Sequence, residues 1–130
     1  MDTRIPAGLA DLLDRPIVGV LATVTPDGSP RQSPMRFTWD GCHLRMSYTI
    51  PRRKFTSLQA NPNYSFLLTD PDAPDRCLET RGWLVTVQGD ADGTFYAALG
   101  AHYGDDPGEP PDDVNDRVVL ILDATSFIAM

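Results

Sequence analysis

The sequence predicts a mainly β protein, an antiparallel barrel with a few helices at its edges. Three observations point there. Apolar or alternating runs of strand length recur along the chain, tight Pro-, Gly-, Asp- and Asn-bearing turns join the first of them, and few connections are long enough for parallel crossovers. The 130 residues suit one domain, expected to span 1–130, and a composition that is 42% hydrophobic and 22% charged supplies a core without staples.

Pro6 to Arg15 reads as a short amphipathic helix, with Leu9, Leu12 and Leu13 on one face. Ile17 to Thr25 is β-rich and mostly apolar, a buried strand closed by the turn residues Pro26-Asp27-Gly28. From Arg31 the pattern alternates, Ser33, Met35, Phe37 and Trp39 against Gln32, Arg36 and Thr38. Pro34 inside that strand implies a bulge or an edge position, because proline cannot donate to a ladder. Asp40-Gly41 signals a hairpin, and Cys42 to Tyr48 is the returning strand. Pro51 opens a second helix to about Ala60, which Asn61-Pro62-Asn63 stops. Tyr64 to Thr69 and Leu78 to Gln88 are strands around a loop from Asp70 to Arg76. Thr94 to Tyr103 is helical, with Thr94 as a candidate cap and Phe95, Leu99 and His102 or Tyr103 on one face. After an acidic, proline-rich loop from Gly104 to Asp116, Val118 to Leu122 is the last strand, with Phe127-Ile128 a candidate continuation.

The net charge of −7 argues against nucleic acid as a partner, since phosphate contacts need a basic face. No apolar run is long enough to span a bilayer, and Asp2, Arg4, Asp11 and Asp14 leave no signal-peptide pattern. Cys42 and Cys77 are too few for a disulfide framework and lie in no metal-ligand spacing. A reduced, cytoplasmic setting away from membranes is the expectation.

Against so acidic a background, Arg52-Arg53-Lys54 is conspicuous, because it places three cations in the first turn of a predicted helix. The macrodipole already puts about half a positive charge there, so each cation costs roughly 0.3–1 kcal/mol at low ionic strength. A bound anion reverses the sign, since free N–H groups and cationic side chains then converge on a phosphate or carboxylate. Ser47, Tyr48 and Thr49 precede the cluster and offer hydroxyls to the same anion. A solvated face, its helix beginning elsewhere, is the alternative that spacing leaves open.

Taken in order, Gly19-Val20-Leu21-Ala22-Thr23, Pro26-Asp27-Gly28, Ser33-Pro34 with Phe37, Asp40-Gly41, Arg52-Arg53-Lys54 with Leu58, Asn61-Pro62, and Leu78-Glu79 before Arg81-Gly82 carry a resemblance. From about Leu12 to Leu122 the chain resembles the flavin-reductase-like split β-barrel superfamily, in its pyridoxamine-phosphate-oxidase-like branch. It is most similar there to the enzymes that use coenzyme F420 (8-hydroxy-5-deazaflavin). The resemblance implies a six-stranded antiparallel split β-barrel, FMN-binding-like, packed as a homodimer with cofactor sites at the interface. It also implies that Arg52 and Lys54 hold the cofactor phosphate or acidic tail, with Arg53 nearby and Ser47, Tyr48 and Thr49 adding contacts. Ser57, where asparagine is common, would reach the phosphate region, and Ser33, Pro34 and Met35 would lie along the ring system. Arg36 stands where tryptophan is frequent and Cys77 where an aromatic is frequent, departures that bear on the substrate pocket. The chain runs to Met130 without the C-terminal arginine-bearing segment of pyridoxamine phosphate oxidases, which counts against that activity.

Other residues read as structural. His43 is expected at the surface, His102 packed beside Tyr103, and Cys42 and Cys77 as small apolar fillers with no activating base. Trp39 and Trp83 are expected to anchor the core or the dimer interface. The aspartates from Asp105 to Asp116 form a solvated loop rather than a metal site, with Arg117 placed to pair with them. No acid–base dyad and no catalytic residue is assigned, which suits hydride chemistry belonging to a cofactor. The expected function is an oxidoreductase delivering a hydride from reduced F420 to a small conjugated substrate. An FMN-dependent enzyme on the same barrel and a non-catalytic flavin- or deazaflavin-binding protein are the alternatives. A homodimer is expected because an open barrel edge and apolar Trp and Phe positions need covering.

Overall fold

In the computed structural model the described residues are 4–50 and 53–129, the side chains of 53–55 excepted. The chain runs through α1 (Asp11–Asp14), β1 (Gly19–Val24), β2 (Pro30–Met35), β3 (Thr38–Trp39), β4 (His43–Thr49) and α2 (Arg53–Ala60). It continues through β5 (Asn63–Thr69), β6 (Cys77–Gly89), α3 (Thr94–His102), a 3-10 turn at Val114–Asp116 and β7 (Arg117–Ala129). The strands form one sheet in the order β2-β1-β5-β6-β7-β4-β3, every neighbouring pair antiparallel. This is the split β-barrel that the sequence predicts, with seven strands where six were expected.

The extra strand comes from a break. The alternating run after Arg31 is not one strand but two, β2 and β3, parted at Arg36-Phe37. The break frees the backbone of Phe37, whose N–H donates to the Tyr103 hydroxyl at 3.1 Å, and that hydroxyl donates to the Ile17 carbonyl at 2.6 Å. One side chain at the end of α3 thus satisfies backbone groups of two separate segments. The Phe37 side chain turns into the core, edge-on to Phe66 with centroids 5.2 Å apart.

Leu12, Leu21, Phe66, Leu78, Leu120 and Leu122 are fully enclosed, and each such side chain contributes roughly 1.5–3 kcal/mol of burial. Leu12 and Leu13 belong to this core as expected, but the first helix spans one turn rather than Pro6 to Arg15. It is tied to the loop after β5 by ion pairs, since Arg76 meets both Asp11 and Asp70, and Arg15 meets Asp70 at 3.1 Å.

The Asp40-Gly41 turn forms as expected, with Gly41 at φ +91° and the Asp40 carboxylate accepting from the N–H groups of Cys42 (2.8 Å) and His43 (2.6 Å). The last strand runs on to Ala129, because β6 is long enough to pair with it throughout. The cap of α3 is not Thr94. The buried Asp90 carboxylate, at the end of β6, accepts from Phe95 N–H at 2.9 Å and Tyr96 N–H at 3.0 Å. One further expectation is corrected: Cys42 is exposed rather than a small apolar filler. Trp83 is 44% exposed and so does not anchor the core, the first of the two places expected for it. Trp39 does pack against the core, edge-on to Phe127 at 5.9 Å.

Candidate functional site

The edge strand β2 brings proline to the place where it costs least. Pro34 pairs with Val20 on one side only, so its missing N–H removes no ladder bond toward a second neighbour. Beside it opens a cleft of about 310 Å³ lined by Pro34, Met35, Arg36, Ser47, Tyr96, Leu99, Gly100, Asp105 and Arg117. Three of the residues implicated by the sequence, Pro34, Met35 and Ser47, therefore share one site although β2 and β4 are far apart in the strand order.

The two arginines of the cleft are held in parallel ways. The Arg36 guanidinium lies 4.8 Å from the Tyr103 ring centroid and binds the Asp105 carboxylate at 2.7 Å. Asp105, first among its neighbours, raises the Arg36 pKa. Arg117 lies 4.7 Å from the Tyr96 ring and binds Asp113 at 3.1 Å, while its other guanidinium arm donates to the Ser47 hydroxyl at 3.4 Å. Burial raises the Tyr103 phenol above its ordinary range despite the Phe37 N–H and Arg36 beside it. The result is a pocket with aromatic and aliphatic walls and a few convergent polar groups, the usual make-up of a small-molecule site.

The remaining expected residues fall elsewhere. Tyr48 is a core residue, Thr49 is buried opposite Arg117 in the β4–β7 ladder, and Ser57 is buried in α2. Ser33 is half-buried on β2, facing Leu21 across the ladder, and is not among the lining of the cleft. Arg52 lies outside the described residues, as do the side chains of Arg53 and Lys54. The backbone of these two opens α2, whose first turn carries no acidic residue. The pairing of Arg117 with the acidic loop is as expected, through Asp113. What sequence reasoning missed is Tyr96 and Asp105 as cleft residues. A hint existed in Tyr96, an exposed aromatic one residue off the apolar face read for α3.

The sequence profile of the pyridoxamine 5'-phosphate oxidase family matches residues 5–129. The chain belongs to that family. Among solved structures, an F420 reductase is 42% identical over 95% of this chain and 98% of its own, with a TM-score of 0.93. This family member also shares the fold with a conserved hypothetical protein from Mycobacterium tuberculosis (24% identity, 98% of this chain and 86% of that one, TM-score 0.74). General Stress Protein 26 from Bacillus anthracis is a further fold relative, at 19% identity over 94% of this chain and 90% of that one, with a TM-score of 0.71. No curated protein matches the chain.

Proposed function

We propose that this pyridoxamine 5'-phosphate oxidase family member is an oxidoreductase that binds the deazaflavin coenzyme F420 and delivers a hydride to a small conjugated substrate. The observation that carries the reading is the 42% identity, over nearly all of both chains, to a structure described as an F420 reductase. The cleft fits a flat heteroaromatic group. Met35, Leu99 and the Tyr96 ring give apolar walls, and the open edge of β2 at Pro34 presents backbone polar groups on one side. Ser47, fixed by Arg117, adds a hydroxyl.

When bound, the reduced coenzyme supplies the hydride. Pro34 and Met35 would support the ring system, with Ser47 orienting its polar edge. Arg53 and Lys54, whose backbone opens α2, together with Arg52 just before them in the sequence, would hold the phosphate and acidic tail. The walls of the cleft would exclude water from the face on which substrate stacks. A homodimer, in which a second copy completes the site, is part of this reading.

Titration of apo protein with F420, and separately with FMN, while following tryptophan fluorescence tests it. F420 is expected to bind at micromolar concentration or tighter and FMN more weakly. Arg52→Ala and Lys54→Ala are each expected to weaken F420 about tenfold, the size of one charge-assisted hydrogen bond. Unchanged affinity in both variants, or a preference for FMN, would overturn the F420 assignment. Oxidation of reduced F420 in the presence of enones, quinones and nitro-compounds then reads the hydride step, and binding without any turnover would mark a carrier.

A further inference from the structure

In a chain with 18 acidic and 11 basic side chains, counter-ions for arginine are plentiful. Arg15, Arg36, Arg45, Arg76, Arg81 and Arg117 each face a carboxylate. Arg31 is different. It is half-buried on β2, and among the described residues it makes no ion pair. A guanidinium that loses part of its hydration without gaining a partner carries a desolvation cost that an external anion would offset.

Arg31 does not stand by itself. It lines a groove of about 530 Å³ between the β1–β2 turn and α2, with Thr25, Pro26, Asp27, Ser29 and Thr56. Asp27 is the acid of this lining, and its carboxylate is already engaged by the Thr25 hydroxyl and by the Ser29 N–H at 3.2 Å, closing the turn on itself. The Ser29 side chain also bonds the Asp27 carboxylate, while the Thr56 hydroxyl has no hydrogen-bond partner among the described residues. Directly across the ladder from Arg31, the Thr23 hydroxyl is buried and unpartnered as well. Thr56 lies three positions after Arg53, so the groove begins roughly one helical turn from the cationic start of α2.

We infer that this groove is an anion subsite, in which Arg31 and Thr56 receive carboxylates of the acidic tail that extends beyond the cofactor phosphate. The inference rests on the reading of the chain as an F420 binder and extends it to the glutamate end of that molecule. The phosphate is held at the start of α2, and the tail then continues along the helix toward the β1–β2 turn. Arg31 supplies the charge that the tail finds there.

The test compares F420 bearing its oligoglutamate tail with the same cofactor stripped of its glutamates, on wild-type protein and on Arg31→Gln and Arg31→Lys. Wild type is expected to prefer the tailed form. Arg31→Gln should lose about tenfold in affinity for it, with a shallower salt dependence, and keep its affinity for the stripped form. Arg31→Lys should restore part of the loss. Equal losses for both forms would place Arg31 at the phosphate or ring and overturn the tail assignment, and no loss would overturn the subsite. If wild type binds neither form, the F420 reading fails and the tail assignment with it. Thermal stabilisation of wild type by free triglutamate, absent in Arg31→Gln, then reads the anion site independently, and its absence in both would remove the site too.

Discussion

Arg36 and Asp105 meet at 2.7 Å across the mouth of the cleft, from the end of an edge strand to the loop after α3. Both side chains are about half exposed, so the pair contributes little to stability and its effect falls on the cleft. Arg36→Ala is expected to change unfolding free energy by less than about 1 kcal/mol. The same substitution should alter ligand affinity at the cleft several-fold, because it removes a wall and frees Asp105. Thermal melts set beside a cofactor titration check this; a large loss of stability with unchanged affinity would count against it.

Asp40 makes stability depend on acid. Burial alone would raise its carboxyl, but the His43 N–H, the Arg45 guanidinium and the Cys42 N–H outweigh burial and hold it at about 2. A carboxylate depressed in the folded state stabilises the protein above its ordinary range, near 3.8, and that stabilisation fades as pH falls toward 2. With the side chain 40% exposed, solvent screening limits the effect to about 1 kcal/mol. Denaturant midpoints of wild type and Asp40→Asn should therefore differ at pH 6 and converge near pH 2.

The Asp90 cap of α3 should behave as a helix cap does. Asp90→Ala leaves the Phe95 and Tyr96 N–H groups without acceptors and is expected to cost about 1–2 kcal/mol. Thr94→Ala, at the residue the sequence suggested, should cost less. Urea unfolding of the two variants ranks them.

Gly82 is fixed by contact. A Cβ there would lie 1.7 Å from the Asp123 carbonyl oxygen, at an irregularity of the β6–β7 ladder between Arg81 and Gly82. Gly82→Ala must push backbone against backbone and is expected to destabilise by about 3 kcal/mol or more. Soluble yield and urea midpoint test it, and a midpoint within error of wild type would refute the close approach.

The residues that announced the fold were those whose signal is local. Pro26-Asp27-Gly28 and Asp40-Gly41 set the hairpins, and the apolar run around Leu21 set the first strand. Asp123, Thr125 and Ser126 interrupt the apolar pattern after Leu122, yet β7 continues through them because β6 supplies a partner over its whole length. Periodicity cannot register that. The break at Arg36-Phe37 was hidden for the same kind of reason, since Tyr103, distant in sequence, satisfies the backbone there. Within the candidate site, Pro34, Met35 and Ser47 were legible through an ordered set of motifs. Arg36 with Asp105 and Arg117 with Tyr96 are partners only in three dimensions, and no spacing rule joins them.

The sheet begins at β2 and ends at β3, and these two edges are consecutive in the chain, joined by Arg36 and Phe37. The seam of the barrel is therefore spanned by peptide bonds where other strand boundaries are spanned by hydrogen bonds. A flat molecule wedged in beside Pro34 and Met35 would part the two lips without breaking a rung of the ladder, and the lips would stay leashed to each other. Among the described residues, this unstitched margin borders the cleft that Pro34, Met35 and Arg36 line.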